Sequence, residues 1–314
     1  MRRLALLMGL CALGSALGAV PTLAADSFAF TTFDATFFGT VNTVVGGMNI
    51  HGQVVGGSAD AKESPASFHG YLRAPDGSLT LIDFPFFPLA RGTVAVDINV
   101  QGVIVGAYLD AAGQHCFVLR DGLVRTIDVP FSKAFNTRCR GINEIGQIVG
   151  TYSDTNVPRA NRGFLLSRGT FSTVDVPGAF NTVVRKINNR GQIVGFYRVF
   201  QGGPTHGFLL EEGVYTPIDF PNAKETRALA ISNNGQIVGD YVDSDNNVHA
   251  FSLTGDDFVT VAIPGVTQNT GGLGFMGQID SPGIYAVNDR GQIAGISLGD
   301  DGHFHGFIGT PTPF

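Results

Sequence analysis

The chain has 314 residues, a formal net charge of −6 and only 15% charged side chains. That balance excludes a disordered polyelectrolyte and argues against a nucleic-acid binder, which needs a basic surface. Apolar residues make up 44%, and 43 Gly with 15 Pro and no Trp, closely spaced among Val, Ile and Phe, point to an all-β chain with an ample core.

The first residues read as a secretory signal. Arg2 and Arg3 form a positive start, Leu4 to Ala19 is apolar, and Ala24 and Ala25 offer a cleavage site. The apolar run falls short of the roughly 20 residues needed to span a bilayer. Residues 1–25 are therefore expected to be removed, leaving a secreted or periplasmic chain without a membrane span. Loss of Arg2 and Arg3 takes the charge from −6 to −8. Cys11 leaves with the signal. Cys116 and Cys139 remain. A disulfide is permitted outside the cytosol, but both cysteines sit where other copies of the repeat below have Gly, Ala or Val, and they read as two buried free thiols.

The rest of the chain is a repeat. Gly146-Gln147-Ile148-Val149-Gly150 recurs unchanged at Gly191 and Gly235, and with small changes at Gly52, Gly102 and Gly291. The steps between copies are 50, 44, 45, 44 and 56 residues. Three residues before the first Gly stand Asn49, Asn99, Asn143, Asn188, Ser232 and Asn288. Each copy continues with a His-small-aromatic triplet such as His69-Gly70-Tyr71 or His206-Gly207-Phe208, replaced in the third copy by Arg162-Gly163-Phe164. A turn and an apolar run ending in Asp-x-Pro follow, except that the fifth copy has Ala262 for the Asp.

The third copy shows the expected strands: Cys139 to Asn143, Gln147 to Tyr152, Gly163 to Leu166 and Phe171 to Val176. Asn and Gly turn the first hairpin, and Pro177 ends the ladder. Four strands in about 45 residues is the size of a propeller blade. The two Gly of the core stretch are expected to let neighbouring backbones approach closely. The sixth copy lacks its fourth strand, and Phe28 to Asp34 reads as that strand without the other three. The fold expected is a six-bladed β-propeller of four-stranded antiparallel blades, closed by the N-terminal strand on the last blade. The blades are placed at 42–85, 92–130, 137–177, 182–221, 226–264 and 283–308 plus 28–34. A linear β-solenoid is the alternative, although solenoids use distinct caps rather than complementary ends.

The motif Ile-Asn-x-x-Gly-Gln-Ile-Val-Gly, followed by His249-Ala250-Phe251, resembles the HAF-repeat family over nearly the whole mature chain. The departures are Arg162 for His, Val103 for Gln and Ala262 for Asp, and they imply altered hydrogen bonding in blades three, two and five. The resemblance implies an exported repeat protein and no particular chemistry.

The repeated His and Asp are spread around a ring and cannot converge on one substrate. They are expected to satisfy buried backbone groups within their own blades. Asp243-x-Asp245-x-Asn247 has part of a calcium-loop pattern but lacks the Gly and the later Glu, and reads as a polar turn. The insertions at 59–67 and 269–283 read as surface loops on the inter-blade face. No nucleophile elbow, zinc helix or Cys-x-x-Cys pair is present, and no cofactor or metal is expected. Blade-specific residues are better candidates for function. Arg138, Arg140, Arg185, Lys186 and Arg227 lie just before or inside the first strands of blades three to five, which line a propeller's channel. Gathered at its mouth they would hold an anionic ligand, with Arg supplying bidentate geometry. The reading is a monomeric, non-catalytic binding or scaffold module for an unidentified ligand or protein. The alternative is a propeller hydrolase, lyase or lactonase with its site on the same face.

Overall fold

The computed structural model describes residues 22–23, 28–59, 68–83, 92–131, 134–155, 160–263 and 282–312. It is a six-bladed β-propeller. Each blade has four antiparallel strands, which follow chain order outward from the axis in blades one to five, while the outer strand of blade six comes from the N-terminal segment. The inner strands are Asn42–Met48, Gly92–Ile98, Ala134–Ile142, Asn181–Ile187, Glu225–Ile231 and Gly283–Val287. Blade three continues with Ile148–Asp154, Asn161–Ser167 and Thr170–Val174. Its second strand is buried along Ile148 to Tyr152, as an apolar strand sandwiched between neighbouring blades must be. The outer strand is mostly exposed.

The two glycines of the core stretch do different work. Gly146 adopts φ 77° in the hairpin turn, and its counterparts behave alike. Gly150 supplies the close approach: a Cβ there would overlap the Arg138 carbonyl and the Phe164 ring. The expectation of close packing thus holds for the second Gly only.

Cys116 and Cys139 form a disulfide, with Cα atoms 5.1 Å apart, so the expectation of free thiols is corrected. Cys116 lies on the third strand of blade two and Cys139 on the inner strand of blade three. These positions face each other at the next two boundaries as well: a Cβ on Gly163 would meet Val184, and one on Gly207 the backbone of Ala228. The cysteines therefore staple blades two and three.

The ring closes as expected. Phe28–Phe33 pairs antiparallel with Phe304–Pro311, from Phe28 opposite Pro311 to Phe33 opposite Gly306. The Phe30 and Phe307 rings meet edge-on, 5.6 Å between centroids. This closure excludes the linear solenoid. Thr22–Leu23 adds a short parallel strand to the outer edge of blade five.

A second closure runs around the axis. In blade four the Asn188 Oδ1 accepts the backbone N–H groups of Arg190 and Gln192, at 3.0 and 3.1 Å, capping the hairpin turn. Its Nδ2 donates to Gln192 Oε1 at 2.6 Å and to the Ser232 carbonyl of the next blade at 3.1 Å. The inter-blade bond repeats from Asn49 to Asn99 O, Asn99 to Asn143 O, Asn143 to Asn188 O and Asn288 to Asn49 O, all at 3.1–3.2 Å. Where Ser232 stands in place of Asn, the neighbouring Asn233 instead binds Asp289 through its backbone and side-chain amides, at 2.7 and 2.8 Å.

The His and Asp of the repeat bind each other rather than mainly backbone. His69–Asp83, His115–Asp128 and His206–Asp219 lie 2.6, 2.9 and 2.9 Å apart. In blade six the partner of His305 is Asp34 at 2.6 Å, delivered by the N-terminal strand. The departures act locally, as the sequence implied. Arg162 reaches Asp175 at 3.9 Å, and His249, facing Ala262 of its own blade, turns to Asp243 at 2.8 Å. Asp243 also accepts the backbone N–H groups of Asp245 and Asn247, so this segment is the polar turn expected.

Replacing Asn188 with Ala removes four buried hydrogen-bond roles and is expected to lower stability by about 3 kcal/mol, against about 1 kcal/mol for Ser232→Ala. Denaturant unfolding of both variants measures the contrast, and equal losses would show that the inter-blade bond adds nothing. A second outcome concerns pH. Burial works against the charged His305 ring, but Asp34 and Asp301 outweigh it and hold its pKa above the ordinary value. The folded chain therefore binds this proton more tightly than the unfolded one. The stabilisation is complete below about pH 6.5, the unfolded value, and is lost as pH rises through the raised folded value. The stability gap between the native protein and His305→Gln should narrow from pH 6 to pH 8.5; a constant gap counts against the closing pair.

Candidate functional site in the channel

Every inner strand carries a β-bulge at the same place. The register breaks between Val45 and Gly47, Ala95 and Asp97, Cys139 and Gly141, Val184 and Lys186, Ala228 and Ala230, and Ile284 and Ala286. The residues skipped are Gly46, Val96, Arg140, Arg185, Leu229 and Tyr285. A bulge interrupts the alternation of side chains along a strand. That is how the consecutive Arg185 and Lys186 both come to lie in one buried cluster, each only 5% exposed. Val96, Leu229 and Tyr285 from the other blades pack together in the same core.

The five basic residues singled out in the sequence do come together, but inside the bore rather than at its mouth. Arg140, 3% exposed, lies between Arg185 and Arg138 and feels both charges. Burial, then these two neighbours, push its pKa well below the ordinary arginine value. Burial also lowers Arg185 and Arg138, each to about 10. Arg138 stands at the flank, its Nε donating to Gln114 Oε1 of blade two. The Arg185 Nε is buried with no hydrogen-bond partner among the described residues.

Two of the five are committed to carboxylates. Lys186 reaches from blade four to blades one and two on the other side of the axis. Its Nζ lies 2.7 Å from Asp97 Oδ1 and donates to the carbonyls of Gly46 and Val96 at 3.1 Å each. Three acceptors saturate an ammonium group. Asp97 Oδ2 in turn accepts Ile142 N–H of blade three at 2.9 Å, so one ion pair ties four blades. Arg227 binds Asp240 through Nε at 2.6 Å and NH2 at 2.8 Å. Burial opposes its charge, but Asp240 prevails and raises its pKa. Beneath the ring of Asn turns, a cavity of about 80 Å³ has Lys186 and Asp97 among its lining groups.

Asp97, Asp240 and Tyr285 were not singled out from the sequence. Asp97 occupies in blade two the aligned position that Lys186 holds in blade four, and Asp240 is the direct cross-strand partner of Arg227. Strand register, applied to every charged residue, was the signal that would have found them. Among the described residues no group of three or more His, Cys, Asp or Glu is placed to hold a metal. The insertions read as surface loops at 59–67 and 269–283 lie almost wholly outside the described residues.

Replacing Lys186 with Met leaves a buried carboxylate short of its counter-ion, and is expected to cost about 3–5 kcal/mol. Adding Asp97→Leu should recover part of that loss. Chemical denaturation checks it, and a milder effect from Lys186→Met than from the double variant would contradict the strut.

No protein-family model matches the chain, and neither does any curated protein. Solved structures match in fold. TolB from Acinetobacter baumannii superposes with a TM-score of 0.58 at 11% identity, covering 82% of this chain and 63% of TolB. The chain thus spans less than two thirds of that protein's length. A mutant Aleuria aurantia lectin in complex with Fucalpha1-6GlcNAc superposes at 0.53 with 13% identity, covering 89% of this chain and 99% of the lectin. A protein of unknown function from Dyadobacter fermentans gives 0.51 at 14% identity, over 93% and 98% of the two chains.

Proposed function

We propose that this is an exported binding or scaffold module of the HAF-repeat type, secreted or periplasmic and non-catalytic, whose bore holds a small anion. Residues that recur in every blade are consumed in caps and in pairs within the ring. Among those that differ between blades and gather on the axis are Arg140, Arg185 and Lys186, against the single carboxylate of Asp97. The single observation that carries the anion is Arg185, whose buried Nε–H has no protein acceptor among the described residues while Arg140 and Lys186 stand close enough to feel its charge. Buried donors are almost always satisfied, and an anion between the guanidinium groups would satisfy this one and offset the clustered charge. The signal-like first residues support export. No helix among the described residues is long and apolar enough to cross a membrane. A fold like that of a sugar-bound lectin suits a binding role.

Inorganic phosphate and bromide are the probes. At matched ionic strength the melting temperature of the native protein should climb with either anion and then level off, since a ligand bound only by the folded state stabilises it. Arg185→Gln should abolish that response. Equal responses from the native protein and the variant, or none from the native protein, would remove the anion.

A further inference from the structure

Three departures from the repeat meet at one blade boundary. Between blades two and three lies a groove of about 530 Å³, within the range of small-molecule sites. The first departure is Val103. In blades three, four and six the Gln at this position reaches Ser167, Glu211 or Thr310 on the third strand of its own blade. In blade two Val103 cannot, and the position that would receive the bond is Arg120. The second departure is charge. Arg120, Arg125 and Arg168 all line the groove and are exposed, and none of their side chains has a hydrogen bond or ion pair among the described residues. The acids beside them are engaged: Asp128 binds His115 at 2.9 Å, and Glu144 accepts Val100 N–H at 2.9 Å. The third is the Cys116–Cys139 disulfide, which fixes this boundary.

Asn99 and Thr126 also line the groove, and apolar side chains supply its walls, with Val118 and Ile127 on one and Ile148, Leu166 and Phe171 on the other. Ile145, 73% exposed, stands at the rim. We propose that this groove binds an organic anion, a carboxylate or sulfonate carried on a flat apolar body. The arginines hold the head and the aliphatic walls hold the body. Cross-linked walls keep the groove open before the ligand arrives, which lowers the ordering cost of binding. An uncharged ligand would leave three guanidinium groups unused, and a small inorganic ion would leave the apolar walls uncovered.

The probe is 8-anilinonaphthalene-1-sulfonate, whose fluorescence rises in apolar surroundings. The native protein should bind it saturably at one site. Charge reversal at exposed positions, Arg125→Glu with Arg168→Glu, should weaken binding at least about tenfold, the effect of losing one good charged contact. Arg125→Lys with Arg168→Lys should weaken it less than the Glu pair, because the charge is kept although the planar fork is lost. Val103→Gln, which restores the side chain of the other blades, should also weaken binding. Arg185→Gln should leave it unchanged, which separates this site from the bore. Equal affinity in the native and Glu variants overturns the proposal, and so does equal loss in the Glu and Lys variants.

Discussion

A ring of wedges must be held at its narrow end, where the strands are closest and least backbone is left to pair. Here the hold is a relay of asparagines. Each amide oxygen fixes its own turn, and each amide nitrogen crosses to the carbonyl of the next turn. One side chain thus shapes a hairpin and positions its neighbour, so the geometry of each blade is referred to that of the next. Ser232 cannot span the gap, and the seam it leaves is carried one residue further out by Asn233 and Asp289. The spacing Asn-x-x-Gly-Gln follows from this arrangement: Asn for the crossing, Gly for the positive φ, and Gln to receive the second amide hydrogen.

Everything that recurs is spent on making the ring, which leaves function to what does not recur. The bulge places one side chain per blade on the axis, and the six residues chosen are Gly46, Val96, Arg140, Arg185, Leu229 and Tyr285. Glycine in blade one lets its backbone lie against Ala95 and Val96 of blade two, and its carbonyl accepts the lysine opposite. Arginine in adjacent blades three and four concentrates charge on one side. Lys186 and Asp97 neutralise each other and lock the arrangement, so the excess charge remains with the arginines.

Much of this was legible before any coordinates. The strand order and the closing role of residues 28–34 follow from repeat phase alone, and so does the choice of the five basic residues as candidates, because phase fixes which residue occupies which place in a blade. What phase does not show is which way a side chain faces once the bulge breaks the alternation. Placing Arg140 and Arg185 in the sealed bore instead of at its mouth needs that register. The disulfide was hidden for a related reason. Repeat phase relates Cys116 and Cys139 each to the same position in other blades, whereas their own relation lies across a boundary, between the small residue of one blade and the inner strand of the next. The His–Asp pairs were likewise read as serving backbone, although their constant spacing already matched one to the other.

The clasp joining the two ends has a bearing on how the molecule is made. Residues 28–33 leave the ribosome well before their partners at 304–311. Asp34 and His305 are separated by 271 positions. Pairings so distant in sequence form slowly, since a large loop must be closed before any contact rewards it. The blades between them can pair locally as they emerge, but the circle stays open until residues 304–311 have been made.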